Sequence, residues 1–164
     1  MLQAAHALAL AGLLLVPAMT IAHGDRHHGG QAGPVVIEQK PWGIAGQARA
    51  VTRTLEIQMS DDMRFTPAQI EVKHGETIRF LHHNRGNVMH EFVLGTRQEL
   101  QAHAELMKKF PDMEHDEPYM AHVAPGKTAE MIWHFNRVGE FEYACLLPGH
   151  FDAGMVGKIR VVPR

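Results

Sequence analysis

The residues best equipped for chemistry sit together in Cys145-Leu-Leu-Pro-Gly-His150-Phe-Asp-Ala-Gly-Met155. A thiolate, an imidazole and a thioether share this one Gly- and Pro-containing loop. Thiolate and thioether suit Cu(I), imidazole suits both copper oxidation states, and a two-imidazole, one-thiolate site with a long axial thioether is an electron-transfer copper arrangement. The loop lacks one imidazole. His90, in Asn87-Val-Met-His90-Glu-Phe-Val-Leu94, is the best candidate because it opens a strand-like run, where a rigid element can hold it. Zinc competes for Cys and His, but thioether is not among its usual ligands, and copper has the highest intrinsic affinity of the divalent first-row metals. The expected set is one copper on His90, Cys145, His150 and, weakly, Met155.

Composition agrees with metal chemistry. The chain has 164 residues with 13 His and 10 Met against a single Cys. A lone thiol in an exported protein must pair between chains, stay reactive, bind a metal, or pack as an inert small hydrophobe. Its neighbours in the loop favour the metal. The 16 Lys plus Arg against 18 Asp plus Glu leave a net charge of −2, which gives no basic surface for nucleic acid.

Export is read from the apolar run Leu8 to Val16, which ends at Pro17 and is followed by Thr20-Ile21-Ala22, an acceptable cleavage site. Residues 1–22 are expected to be a signal peptide, although they carry no Lys or Arg. The run is too short for a stable membrane span, so the mature chain would begin near His23. From there to about Ala48 the chain is rich in Gly, His and Pro, and a flexible arm over 23–48 is expected.

The folded domain is expected over 49–164. Val51, Leu55, Ile57 and Met59 share one parity, as core-facing strand residues do. Further strands are expected at Ile70 to Val72, Thr77 to Leu81, Glu91 to Leu94, Glu130 to Phe135, Phe141 to Cys145 and Val156 to Val162. Turn signals at His74-Gly75, Arg85-Gly86, Pro125-Gly126 and Val138-Gly139 separate several of them. A capping-box pattern at Thr96 and Glu99 opens one inserted helix with Leu100, Ala104 and Met107 on a single face, followed by an acidic loop from Asp112 to Met120. Short strands with one inserted helix predict an all-β, antiparallel β-sandwich.

The ligand loop, with Met63-Arg-Phe-Thr-Pro67, Ile70 to Ile78 and Asn87 to Leu94, resembles the cupredoxins over roughly Val51 to Arg164. Four residues separate Cys145 from His150 and four separate His150 from Met155, a spacing similar to the rusticyanin loop rather than the shorter plastocyanin one. Met89 to Gly95, the inserted helix, Val123 to Lys127 and Pro148 to Phe151 resemble the periplasmic copper-tolerance cupredoxins of the CopI type. The resemblance implies a Greek-key sandwich, a type 1 copper on His90, Cys145, His150 and Met155, and a periplasmic location. One residue departs from the pattern: many cupredoxins carry a small polar residue after the first histidine, where this chain has Glu91.

Other ligand-type residues have plainer explanations beside them. Met113, His115, Met120 and His122 would make a weaker second copper site, or are chance ligands in an acidic surface loop. His23, His27 and His28 offer copper capture at a mature amino terminus, or belong to a solvated linker. His82 and His83 point to opposite faces of a strand, and His74, His103 and His134 lack partners at useful spacing, so structural roles are expected.

Three functional classes remain in view. Copper handling for tolerance is favoured by the extra Met and His residues and by the CopI-type resemblance. A soluble electron carrier of a respiratory chain, with a cytochrome or copper oxidase as redox partner, is the alternative. A copper enzyme is not expected, because the chain has neither a His-x-His nor a His-Cys-His element for further coppers.

Overall fold

Alternation of apolar and polar residues along short segments sets the strands, and their order places the metal-binding candidates at one end of the molecule. The structure, a computed structural model, describes residues 37–111, 113 and 115–164. The expected signal peptide, the arm through residue 36, and Asp112 and Glu114 lie outside the described residues. In chain order the strands are β1 (Ile44–Ala45), β2 (Arg53–Ser60), β3 (Arg64–Thr66), β4 (Gln69–Lys73), β5 (Thr77–Asn84), β6 (His90–Gly95), β7 (Met120–Val123), β8 (Thr128–His134), β9 (Gly139–Ala144) and β10 (Val156–Val162). Helix α1 (Arg97–Lys109) lies between β6 and β7. No helix among the described residues is long and apolar enough to cross a membrane.

The strands form two five-stranded sheets, ordered β1-β8-β5-β2-β3 and β4-β10-β9-β6-β7. Ile57, Met59, Ile78 and Phe80 of the first sheet meet Phe92, Leu94, Tyr143 and Ile159 of the second in the main core. Each such side chain, fully removed from water, contributes roughly 1.5–3 kcal/mol. The sandwich is as expected, with one refinement: β2–β5 and β4–β10 pair in parallel, so each sheet is mixed. Side-chain alternation is the same in parallel and antiparallel strands, which is why the pattern could not tell them apart.

Helix α1 begins where expected. The Thr96 hydroxyl accepts from the Glu99 backbone N–H at 3.3 Å, and the Glu99 carboxylate accepts from the Thr96 backbone N–H at 3.4 Å. Leu100, Ala104 and Met107 then pack against Val93, Met120, Ala144 and Leu146, making a second, smaller core on the outer face of the sheet. Strand β6 is consequently buried on both faces along its whole length.

The arm needs correction. Residues 37–48, expected to be flexible, are part of the fold: Trp42 is only 3% exposed, and its carbonyl accepts from Trp133 Nε1 at 3.0 Å. Strand β1 pairs Ile44 with His134 and Ala45 with Trp133. A tryptophan side chain has enough apolar surface to hold a Gly- and Pro-containing segment down. Gly43 permits the approach, since it has φ +132° and a Cβ there would meet the His134 carbonyl oxygen at 2.4 Å. Strands β1, β3 and β7 were not expected, being too short to show an alternation.

Candidate metal centre

Three elements converge at the site. His90 opens β6, Cys145 directly follows β9, and His150 lies in the loop that returns to β10. The loop folds on itself through His150 N–H to the Leu147 carbonyl at 3.0 Å and Ala153 N–H to the Gly149 carbonyl at 3.0 Å. Gly149 (φ +88°) and Gly154 (φ +87°) take left-handed conformations that favour glycine there. The β9–β10 pairing then closes the loop, because Cys145 N–H donates to the Met155 carbonyl at 3.1 Å and Met155 N–H to the His150 carbonyl at 3.1 Å.

The expected residues are brought together. One ligand atom from each of His90, Cys145 and His150 lies within 4.8 Å of the others. Cys145 Sγ is 3.2 Å from His150 Nδ1, and the two imidazole centres are 5.2 Å apart. Met155 is fully buried in the same core cluster as Cys145. His90 and Cys145 are likewise fully buried, whereas His150 is half-buried and reaches towards the surface. Val88 and Met89, beside His90, are exposed and apolar.

Hydrogen bonds orient these groups. Asp61, in the turn after β2, lies 3.3 Å from His90 Nε2 through Oδ1. Its Oδ2 accepts from the Asn87 backbone N–H at 2.7 Å, the chief reason its carboxyl is held below the usual range. Gly86 makes room for this, since a Cβ there would meet Asp61 Oδ1 at 1.8 Å. Buried Asn84 fixes the other side, donating to the carbonyls of Val88 at 2.7 Å and Val123 at 2.8 Å. Asp61 is a functional residue that sequence reasoning missed, and it stands far from the ligand loop with no recognisable spacing to it.

Glu91, the residue that departs from the cupredoxin pattern, contacts both the cysteine and the helix side of the sheet. Its backbone N–H points at Cys145 Sγ at 3.3 Å, and its buried carboxylate accepts from Leu146 N–H at 3.3 Å. The other carboxylate oxygen is 2.9 Å from His122 Nε2.

The donor set fits a soft or borderline metal ion. With Nε2 held by Asp61, His90 leaves Nδ1 buried and without a hydrogen-bond partner, a costly state that an ion would relieve. Burial pushes the Cys145 thiol up to about 12, so metal entry must displace its proton. Burial, and then the neighbouring His90, lower His150, leaving its imidazole neutral and able to donate a lone pair at neutral pH.

The other candidates divide. Met113 and Met120 pack into the small core beside α1, while His115 and His122 remain neighbours with ring centres 6.1 Å apart. His103, expected to be a plain helix residue, joins them, its ring 4.6 Å from that of His115. His82 is buried between Phe80 and Phe92, and His134 meets Thr77 Oγ1 at 2.9 Å, both structural as expected. His23, His27 and His28 lie outside the described residues.

Comparison with known proteins converges on the same region. The profile of the copper binding proteins of the plastocyanin/azurin family matches residues 51–162. The chain is similar to the copper-resistant cuproprotein CopI of Rubrivivax gelatinosus, with 49% identity over 85% of this chain and 82% of the relative. It is also similar to the CopI of Pseudomonas aeruginosa, with 34% identity over 81% of this chain and 88% of that one. Among solved structures, auracyanin B superposes with a TM-score of 0.62 at 21% identity, covering 74% of this chain and 96% of that one. An azurin from Methylomonas sp. strain J gives 0.54 at 15% identity, covering 68% and 99%.

Proposed function

Because the chain belongs to the plastocyanin/azurin family of copper-binding proteins, we propose that it is a periplasmic, redox-active cupredoxin serving copper tolerance. A single type 1 copper would be held by His90, Cys145 and His150, with Met155 as a weaker fourth ligand. The observation that carries this reading is the meeting of one thiolate and two imidazoles at the end of the sandwich. Relatives named for copper resistance support tolerance as the role. Residues 1–22 act as the export signal in this reading, which places the centre in the periplasm.

Copper, when bound, supplies one-electron exchange between Cu(I) and Cu(II). The protein supplies the environment. Asp61 holds His90 Nε2 so that Nδ1 faces inward, Glu91 directs a backbone N–H at the Cys145 sulfur, and the packed core around Phe92 and Tyr143 keeps water from the thiolate side. Half-buried His150 is the edge through which electrons enter or leave. The chain is read as non-enzymatic. Exposed Val88 and Met89 beside His90 also suit docking of a redox partner, and they keep a respiratory electron carrier as the second reading.

Titration of the mature protein with Cu(II) tests the centre: an intense visible band is expected, absent from Cys145→Ser, and its absence from the native chain would overturn the assignment. Copper tolerance of a strain lacking the protein tests the role. Restoration by the native chain but not by Cys145→Ser is expected, while no effect of either would leave electron transfer as the better account.

A further inference from the structure

Each donor-type residue of the ligand loop is followed by an apolar one: Cys145 by Leu146, His150 by Phe151 and Met155 by Val156. The donors and their followers point to different places. Cys145 and Met155 belong to the main core, whereas Leu146, Phe151 and Val156 pack on the small core beneath α1. The inserted helix thus backs the loop at every donor the loop carries.

Two of these positions are fixed by strands as well. Ala144 at the end of β9 pairs with Val156 at the start of β10, and the bond from Cys145 N–H to the Met155 carbonyl at 3.1 Å continues that ladder. His150 has no such support. Its N–H donates to the Leu147 carbonyl at 3.0 Å and its carbonyl accepts from Met155 N–H at 3.1 Å, so both backbone bonds stay inside the loop. Bonds of this kind fold a loop on itself but do not fix it against the sheets.

The outside anchors follow directly after the histidine. The Asp152 carboxylate meets Lys108 Nζ in the last turn of α1 at 2.9 Å, and Arg64 donates to the Ala153 carbonyl at 3.0 Å. Both contacts are exposed, and exposed charged contacts hold a loop only weakly. Phe151 is different, because its ring is half-buried against the apolar side chains under the helix. An aromatic side chain combines a large apolar surface with little rotamer freedom, so seating one fixes the backbone that carries it.

Building on the copper reading above, we propose that Phe151 is a positioning residue for the metal centre: seated in the small core beneath α1, it sets where the loop holds the His150 imidazole. That placement is the one that brings Nδ1 to 3.2 Å from Cys145 Sγ. Groups that orient a ligand without touching the metal tune both affinity and electronic character. The helix insertion thereby acquires a role at the site, through the residue next to its most exposed ligand.

The test compares Phe151→Ala and Phe151→Leu with Leu100→Ala, which empties the same small core where Leu100 meets Gly95, at the opposite end of β6 from His90. Each full-length protein is loaded with Cu(II) and read by visible absorption, electron paramagnetic resonance and competition with a chelator, with denaturant unfolding of the copper-free forms alongside. Phe151→Ala is expected to keep an intense band but displace it, to change the copper hyperfine splitting, and to weaken copper about 10–100-fold. Phe151→Leu should shift the same readouts by less and carries the comparison if the alanine variant does not fold. Leu100→Ala should lose stability while keeping the native band, splitting and affinity. Native spectra and affinity in the Phe151 variants, or the same displacement in Leu100→Ala, would overturn the positioning role. The copper reading fails by absence of the band from the native chain, whereas this one fails with the band present.

Discussion

The two histidine clusters on either side of β6 use similar local devices in different surroundings. At the first, His90 and Cys145 are fully buried at the end of the sandwich, with the sulfur of Met155 buried in the same core. At the second, the rings of His103, His115 and His122 are partly or fully exposed beside a helix, with no cysteine among them. In both, a carboxylate or carbonyl holds one ring nitrogen of a histidine. What separates them is therefore burial and sulfur. A dry pocket holding sulfur beside imidazole suits a soft or borderline metal ion, whereas partly exposed imidazoles beside a carboxylate stay in contact with solvent.

The largest expected effect is that of Cys145→Ser, which should abolish the visible band completely, as read by absorption and metal content on one sample. Next in size is Leu100→Ala, which empties a buried position between α1 and β6 and should cost about 2–5 kcal/mol by denaturant unfolding. The visible band should change little, because Leu100 lies on the helix side of β6.

Acid should strike the main-core side through His82. Burial lowers this imidazole from 6.5 to about 3, and the Ala129 backbone offsets that only slightly, without forming a hydrogen bond to either ring nitrogen. The unfolded chain takes up the proton first, so stability is full above about 6.5 and falls with pH by up to about 1.4 kcal/mol per unit until about 3. Unfolding curves across that window should show the slope, and His82→Phe should flatten it. The smallest expected effect is that of Asp61→Ala, which frees the His90 ring and should weaken copper at the first centre about 10–100-fold while keeping the band, measured by competition with a chelator.

The parts legible in the sequence were those whose signal is local. The ligand loop concentrates its donors in one stretch, α1 announces itself by a capping box, and β2 shows its parity over many residues. What escaped depends on contacts between distant segments. Trp42 is held by Trp133, Asp61 reaches His90 across a turn, and His103 meets His115 only because the chain doubles back after the helix. None of these leaves a period or a spacing to read. The loss of alternation in β6 is likewise explained only once α1 is seen to cover its outer face.

That doubly covered strand ties its two faces together. His90 and Glu91 are adjacent residues serving opposite faces, so a single-residue insertion or deletion within β6 would exchange the faces and send each side chain to the wrong neighbourhood. Substitutions can tune or erase either cluster separately, but a change of length here would disrupt both together. The length of this one strand is therefore a tighter constraint on the fold than the identity of any single side chain it carries.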